Sequence, residues 1–311
     1  MRSRSWVLLV VLAALWGGSF LLISLSLRGM SAPVVSFGRL AVGAVVLAAC
    51  ALGRDRRAFA VLRGAWPRVA LFALCQMAAP YLLTAYAETR VPSGLSAALM
   101  ASQPMWLILL SLPRVRAAQL AGVAVGFAGV LCLVGPFSGG RPDPTGVLLV
   151  VAAAASYAVG ALVLARLLPG VPALPVTAAG EAVAALATLP LALTAAPSAV
   201  PPLSSVVALV ALGALATAGG FALYVRLVYR AGAGPASLVS YIAPVFAFGY
   251  GAVLLGERIR PAMIVGLVLI LGGSALTVKR RQSKPQTSNA QRASDVLNVR
   301  GSAQAPCAIR R

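Results

Sequence analysis

Ten apolar runs, each close to the length of a membrane-crossing helix, follow one another along this chain with little between them. They cover 6–27, 33–52, 68–87, 93–112, 117–135, 145–168, 174–195, 203–227, 234–256 and 261–278. At 1.5 Å of rise per residue, about 20 residues cross the ~30 Å of bilayer hydrocarbon. The breaks are short and carry Arg, Pro, Gly or Asp, as in Gly53 to Arg57, Arg90 to Ser93, Pro113 to Arg116, Pro136 to Pro144 and Pro197 to Pro202. Composition agrees. Of 311 residues, 60% are hydrophobic and 10% charged, against roughly 25% charged in a soluble domain. The mean hydropathy is +0.93. The sequence therefore predicts an all-α integral membrane protein with ten transmembrane helices. The run 203–227 is the least well marked, because polar residues and Gly219-Gly220 interrupt it.

A net charge of +20 invites a nucleic-acid reading. The placement of the charges argues against it: most basic residues lie in the short breaks and the tail, as the positive-inside rule requires. With a cytoplasmic N-terminus, the inner segments hold Arg2 and Arg4; Arg54, Arg56, Arg57, Arg63 and Arg68; Arg114 and Arg116; Arg166; Arg230; and the tail from Lys279. The outer loops then hold only Arg28, Arg90, Arg141, Arg258 and Arg260. Both termini are expected in the cytoplasm, in the cell membrane. The first run, to about Leu27, is longer than a signal-peptide core and reads as a first membrane helix. The tail 279–311 is polar, without a repeating apolar face, and reads as disordered. Its Lys279, Arg280, Arg281 and Lys284 are placed to meet anionic lipid headgroups.

Cys50, Cys75, Cys132 and Cys307 form no CxxC pair, and there is no histidine. No metal site, cofactor or disulfide framework is expected. No nucleotide-binding glycine loop appears, which argues against ATP-driven work within this chain.

The chain also repeats itself. Ser93-Gly94-Leu95 through Gln103-Pro104 aligns with Ala233-Gly234-Pro235 through Ala243-Pro244, the prolines 140 residues apart. Gly122 and Gly129 match Gly266 and Gly273, 144 apart. Ala14-Leu15-Trp16-Gly17 matches Ala155-Ser156-Tyr157-Ala158. A unit of five helices is odd, so its second copy enters the membrane upside down. Inverted repeats are typical of secondary transporters, with the solute site near the midplane between the halves. The expected domains are 1–139, 140–278 and the basic tail 279–311.

The chain resembles the EamA-type ten-helix transporters of the drug/metabolite transporter superfamily over residues 6–278. The resemblance is carried by Trp16-Gly17-Gly18-Ser19-Phe20, Phe37-Gly38-Arg39, Pro104, Pro244, Leu254-Leu255-Gly256-Glu257 and the Gly266 to Gly273 spacing. It implies transport of a solute, commonly export. One departure stands out: the family pattern has a Leu-Gly-Glu ending the fourth helix too, where this chain reads Ser111-Leu112-Pro113-Arg114.

Six acidic residues are present. Asp55, Asp143 and Asp295 fall in loops or tail and read as solvated. Glu181 lies within the seventh run, where a charge costs roughly 2.5–3.5 kcal/mol even on insertion scales. Two readings stand side by side: a protonatable switch or partner for a solute amine, and a structural pair with Arg39 of the second run. Arg39 itself reads first as a structural charge and second as an anion-binding group. Glu257 with Arg258, at a helix end, reads as a structural pair or a loop contact closing the turn between the ninth and tenth helices, in preference to a gate, and Glu88 near Arg90 reads the same way. Pro104 and Pro244, at matching mid-helix positions, each free a carbonyl, of Met100 and Ser240, and are candidate kinks.

Candidate cavity residues are Trp16, Tyr81, Tyr86, Gln103, Trp106, Tyr157, Tyr224, Ser240 and Tyr241, because polar aromatics deep in a bilayer need partners that a wet cavity supplies. Trp6 and Trp66 read as interfacial belt residues. Gly122-x-x-x-Gly126 permits close helix approach within the monomer. The leading expectation is a solute exporter working by alternating access, its cavity lined by helices 1, 3, 4, 6, 8 and 9. The substrate's own gradient or a proton gradient would drive it, with Glu181 as proton carrier. A non-transporting subunit of a membrane complex and an intramembrane lipid-modifying enzyme are the alternatives. The missing histidine and the absence of paired aspartates within the runs count against the enzyme.

Overall fold

Proline opens many of the helices. It sits in the first two positions of α2 (Ala32–Arg54), α3 (Trp66–Ala73) and α8 (Pro144–Leu167), where its missing N–H costs no intrahelical bond. The computed structural model describes residues 3–110, 117–134, 142–231 and 238–278. Before α2 stands α1 (Ser3–Leu27). A five-residue π segment, Leu74–Ala78, joins α3 to α4 (Ala79–Ala87). Then come α5 (Ser93–Met100), α6 (Gln103–Leu109) and α7 (Ala117–Val134). After α8 follow α9 (Ala173–Thr194) and α10 (Leu203–Ala211), which runs through a second π segment, Leu212–Gly219, into α11 (Gly220–Ala231). The described residues end with α12 (Val239–Leu254) and α13 (Pro261–Val278). No strand occurs among the described residues.

Six helices are long and apolar enough to cross a membrane: Ser5–Leu27, Ala32–Arg54, Trp66–Ala87, Pro144–Leu167, Ala173–Thr194 and Leu203–Tyr224. Shorter apolar helices cover Gln119–Val134, Val239–Leu254 and Pro261–Leu276. Large apolar side chains face outward, with Val253 81% and Leu131 72% exposed, while Glu181 is 1% exposed. A soluble protein would not carry that inversion; lipid explains it. The chain is a multi-pass membrane protein.

Both π segments have a local cause or a local consequence. Pro80 cannot donate to the helix ladder, and Ala79 N–H bonds Leu74 O instead of the carbonyl four residues back. The Cys75 carbonyl is thereby left over, and Ser156 Oγ of α8 donates to it at 2.8 Å. In the second segment Thr217 Oγ1 donates to Leu212 O at 3.0 Å, five residues back. This widened ladder lies within the run 203–227, the one least well marked in the sequence.

The fourth predicted helix differs from expectation. Ala101 and Ser102 form a turn, and Pro104 sits in the first turn of a new helix, α6, where Met105 N and Trp106 N both reach Ser102 O. Pro104 thus marks a break between helices, whereas Pro244 lies inside the continuous helix α12. The boundary near 139 and the tail lie outside the described residues.

Buried side chains form several seams between helices. One runs along α5, α6, α7, α12 and α13 through Leu99, Met105, Leu133 and Ile270. Another joins α2, α3, α8 and α9 through Leu40, Phe72, Met77 and Val176. A third joins α1, α11 and α12 through Leu12, Leu227 and Val239. Gly17 lets α1 approach the α12 backbone, where an added Cβ would come within 2.7 Å of Phe246 Cβ. Gly129 of α7 and Gly266 of α13 pack backbone on backbone, the close approach that small residues permit.

At one end of the bundle, Asp143 caps α8 by accepting from Thr145 N at 2.7 Å and Gly146 N at 3.2 Å. It also pairs with Arg90 at 3.1 Å. The Gly146 N–H above all, with Arg90 and the Thr145 N–H, holds its carboxyl below the usual value. A lowered carboxyl pKa contributes stability above the unfolded value, and that contribution is lost as pH falls through the folded one. Asp143→Ala is expected to lower the thermal midpoint slightly at neutral pH. The difference from the parent should vanish in acid, below the ordinary carboxylate range. A deficit that stays constant with pH would contradict this.

Candidate functional site

Two of the charged residues singled out in the sequence, Arg39 and Glu181, lie near one another between α2, α4, α8, α9 and the second π segment. Arg39 lies seven residues into α2 and Glu181 eight into α9, and these two helices pack along their length. They are not in direct contact as an ion pair within 4 Å among the described residues. Tyr81 stands between them. The Arg39 guanidinium carbon lies 3.8 Å above the centre of the Tyr81 ring, a cation–π placement. The Tyr81 hydroxyl is 3.5 Å from Glu181 Oε1, at the outer limit for donation. Arg39 Nε donates to Thr217 Oγ1 at 2.9 Å. Glu181 Oε2 is buried with no hydrogen-bond partner.

Gly43 keeps the floor of this cluster open. A Cβ there would stand 3.2 Å from Thr217 Cγ2 and 3.5 Å from Glu181 Oε2. Tyr157 of α8 meets Tyr81 edge-on, with ring centres 6.2 Å apart. A cation held by a phenol and a hydroxyl beside a carboxylate with one unclaimed oxygen is chemically unsaturated. It can bind an anionic group, an amine or a proton without first breaking an internal salt bridge.

The other named residues are placed as follows. Trp16 of α1 stacks on Tyr224 of α11, ring centres 5.5 Å apart. Trp106 of α6 meets Phe127 edge-on, and its indole N–H is buried without a partner. The Tyr241 hydroxyl is likewise buried and unpartnered, while Gln103 is half-buried at the start of α6. Ser240 and Tyr86 are exposed, as are Trp6 and Trp66, each 48%.

Two expected pairs are replaced by other contacts. Arg90 turns to Asp143, leaving Glu88 to accept from Ser24 Oγ of α1 at 2.8 Å. Glu257 bonds the start of α5 through Ser93 and Gly94. Sequence reading missed Thr217, Ser24, Ser93 and Gln76, the last with its side-chain carbonyl oxygen buried and unpartnered beside Gly160. Pro80, four residues after Gln76, is the signal that marks the π segment holding it. The described residues contain no cluster of three metal-ligating side chains.

The two aromatic contacts exchange partners. Helix α1 meets α11 through Trp16–Tyr224, and α8 meets α4 through Tyr157–Tyr81. Trp16 and Tyr157 stand 141 residues apart, Tyr81 and Tyr224 143, Arg39 and Glu181 142. Those offsets match the repeat seen in the sequence.

The sequence matches the profile of the EamA-like transporter family twice, over residues 4–135 and 144–279. The chain belongs to the EamA-like transporter family. It is 29% identical over 285 residues to a protein of Streptantibioticus cattleyicolor named "Probable terminal-alkyne amino-acid exporter", covering 89% of this chain and 94% of that one. It is 27% identical to "Uncharacterized transporter YwfM" of Bacillus subtilis, over 93% of this chain and 99% of that one. A crystal structure of a protein 25% identical in sequence superposes with a TM-score of 0.63, covering 90% of this chain and 98% of the other. Family and relatives agree on the broad activity: this EamA protein is a membrane transporter acting on a small-molecule solute.

Proposed function

We propose that this EamA protein is a secondary exporter of a small metabolite, amino acid or drug-like solute, working by alternating access. Its ten spans form two inverted halves, 1–139 and 140–278, with both termini on the cytoplasmic side of the cell membrane. The exchange of aromatic partners carries the reading. A twofold axis in the membrane plane would turn Trp16–Tyr224 into Tyr157–Tyr81 and Arg39 into Glu181. Rocking between two such related arrangements is how inverted-repeat carriers expose one site to each side in turn.

The solute site is the Arg39–Tyr81–Glu181 cluster with Tyr157 and Thr217. Arg39 faces an anionic group of the solute, and the unpartnered oxygen of Glu181 takes its ammonium or a proton. A zwitterionic amino acid carries both charges, and the relative named for amino-acid export supports that class. The solute's own gradient or a proton gradient supplies the energy, Glu181 being the carrier in the second case.

Purified protein in liposomes loaded with zwitterionic amino acids tests this. Saturable efflux requiring no second protein is expected. Efflux equal to that of empty liposomes, or dependent on a partner chain, would remove the exporter. Reporters on both termini and at Gly140 should place the termini together and Gly140 across the membrane.

A further inference from the structure

Glu257 emerges from α12 through a tight turn. Gly256 adopts φ +69°, where a side chain would be strained, and Glu257 N–H closes back on Gly251 O at 2.9 Å. The carboxylate then spans to α5, in the other half of the sequence. Its Oε1 accepts from both Ser93 N and Ser93 Oγ at 2.7 Å, and its Oε2 accepts from Gly94 N at 3.0 Å. The residue preceding α5 is Pro92, which has no side-chain oxygen for the first helical N–H groups. Glu257 does that work from 164 residues away.

The surroundings are shaped for this carboxylate. A Cβ on Gly94 would meet Glu257 Oε2 at 3.2 Å, and one on Gly251 would meet the same oxygen closer still. A carboxylate on helix N–H groups forms charge-assisted bonds, roughly twice as strong as neutral ones.

The repeat makes the arrangement one-sided. In the alignment of the two halves, Ser93 corresponds to Ala233, and the stretch matching Glu257, Pro113 to Ala117, has no acidic residue. Ala233 and most of that stretch lie outside the described residues, so the comparison is one of sequence. It shows both members of the pair missing together, the serine as well as the glutamate.

We propose that Glu257 is a positioning residue that latches one end of the transporter. It ties the start of α5 to the end of α12 on the side carrying Asp143, and releases Ser93 and Gly94 when that side opens. By sequence, the matching positions of the other half supply neither the serine nor the glutamate, so such a latch is expected at one end and not at the other. The bonds stand on geometry alone; their part in gating rests on the alternating-access reading above.

Side-specific labelling tests the latch without any transport assay. Ser96, fully buried on α5 just beyond the capped N–H groups, serves as the probe when replaced by cysteine. The full chain is used, with its four native cysteines changed to alanine. Glu257→Gln puts an amide where three donors converge. It is expected to raise the rate of Ser96→Cys modification by a membrane-impermeant maleimide about tenfold or more. The rise should come only from the side carrying Asp143. Ser93→Ala removes one of the three donors and should give a smaller rise from the same side. If Glu257→Gln does not accumulate in the membrane, Ser93→Ala and Glu257→Asp read the same rate. Labelling unchanged in the variants that accumulate, or raised equally from both sides, overturns the latch. Expected labelling in a protein that moves no solute would keep the latch and remove the exporter reading, so the two fail separately.

Discussion

Glu181→Gln is expected to abolish most transport while leaving the protein as stable as the parent or slightly more so. The carboxylate is 1% exposed, has one long contact to Tyr81 and has no partner on its other oxygen. Glutamine fills the same volume and carries no charge to desolvate, so the fold loses nothing it depended on. A solute ammonium or a coupled proton loses the Glu181 carboxylate. Losing a desolvated charge partner costs about 3 kcal/mol or more, roughly a hundredfold in rate. Efflux from liposomes and a thermal melt in detergent would be measured on one preparation. Near-parental efflux would remove Glu181 from transport, and a collapsed melting temperature would show the carboxylate to be structural. If protons are coupled, the residual efflux should also lose its dependence on pH.

Gly273→Val should unfold the bundle, whereas the same change at the neighbouring Gly272 should be nearly silent. An added Cβ at Gly273 meets Gly126 N at 2.5 Å and Gly126 Cα at 2.8 Å, and at Gly272 it meets nothing within 4 Å. Ordinary overpacking costs about 1–3 kcal/mol because side chains can move aside. Here the obstacle is another helix's backbone, so α7 and α13 must separate, and the cost exceeds that range. Gel filtration in detergent would show a monodisperse Gly272→Val protein and an aggregated or absent Gly273→Val one. Equal behaviour of the pair would mean that α7 and α13 do not touch as described.

Most helices could be read from the sequence because a bilayer admits few alternatives: about 20 apolar residues between polar breaks leave little freedom. The Gly122-x-x-x-Gly126 spacing was legible for the same reason, since only small residues let backbones meet. What escaped notice depended on partners distant in sequence. The widened ladder at Leu74–Ala78 follows from Pro80, but its left-over carbonyl is accommodated only because Ser156 arrives from α8. Arg39 and Glu181 could be placed at matching positions, yet nothing in their spacing revealed that Tyr81 would stand between them. Glu257 looked like a partner for its neighbour Arg258. Its true partners are backbone N–H groups, which no pattern of side chains displays.

The contacts between early and late helices bear on how the chain is made. Gly17 on α1 is shaped for α12, α2 lies along α9, and Tyr81 on α4 waits for Tyr157 on α8. Each of these early segments is complementary to something the ribosome has yet to synthesise. The early helices therefore carry surfaces whose partners do not exist until the later helices have been made.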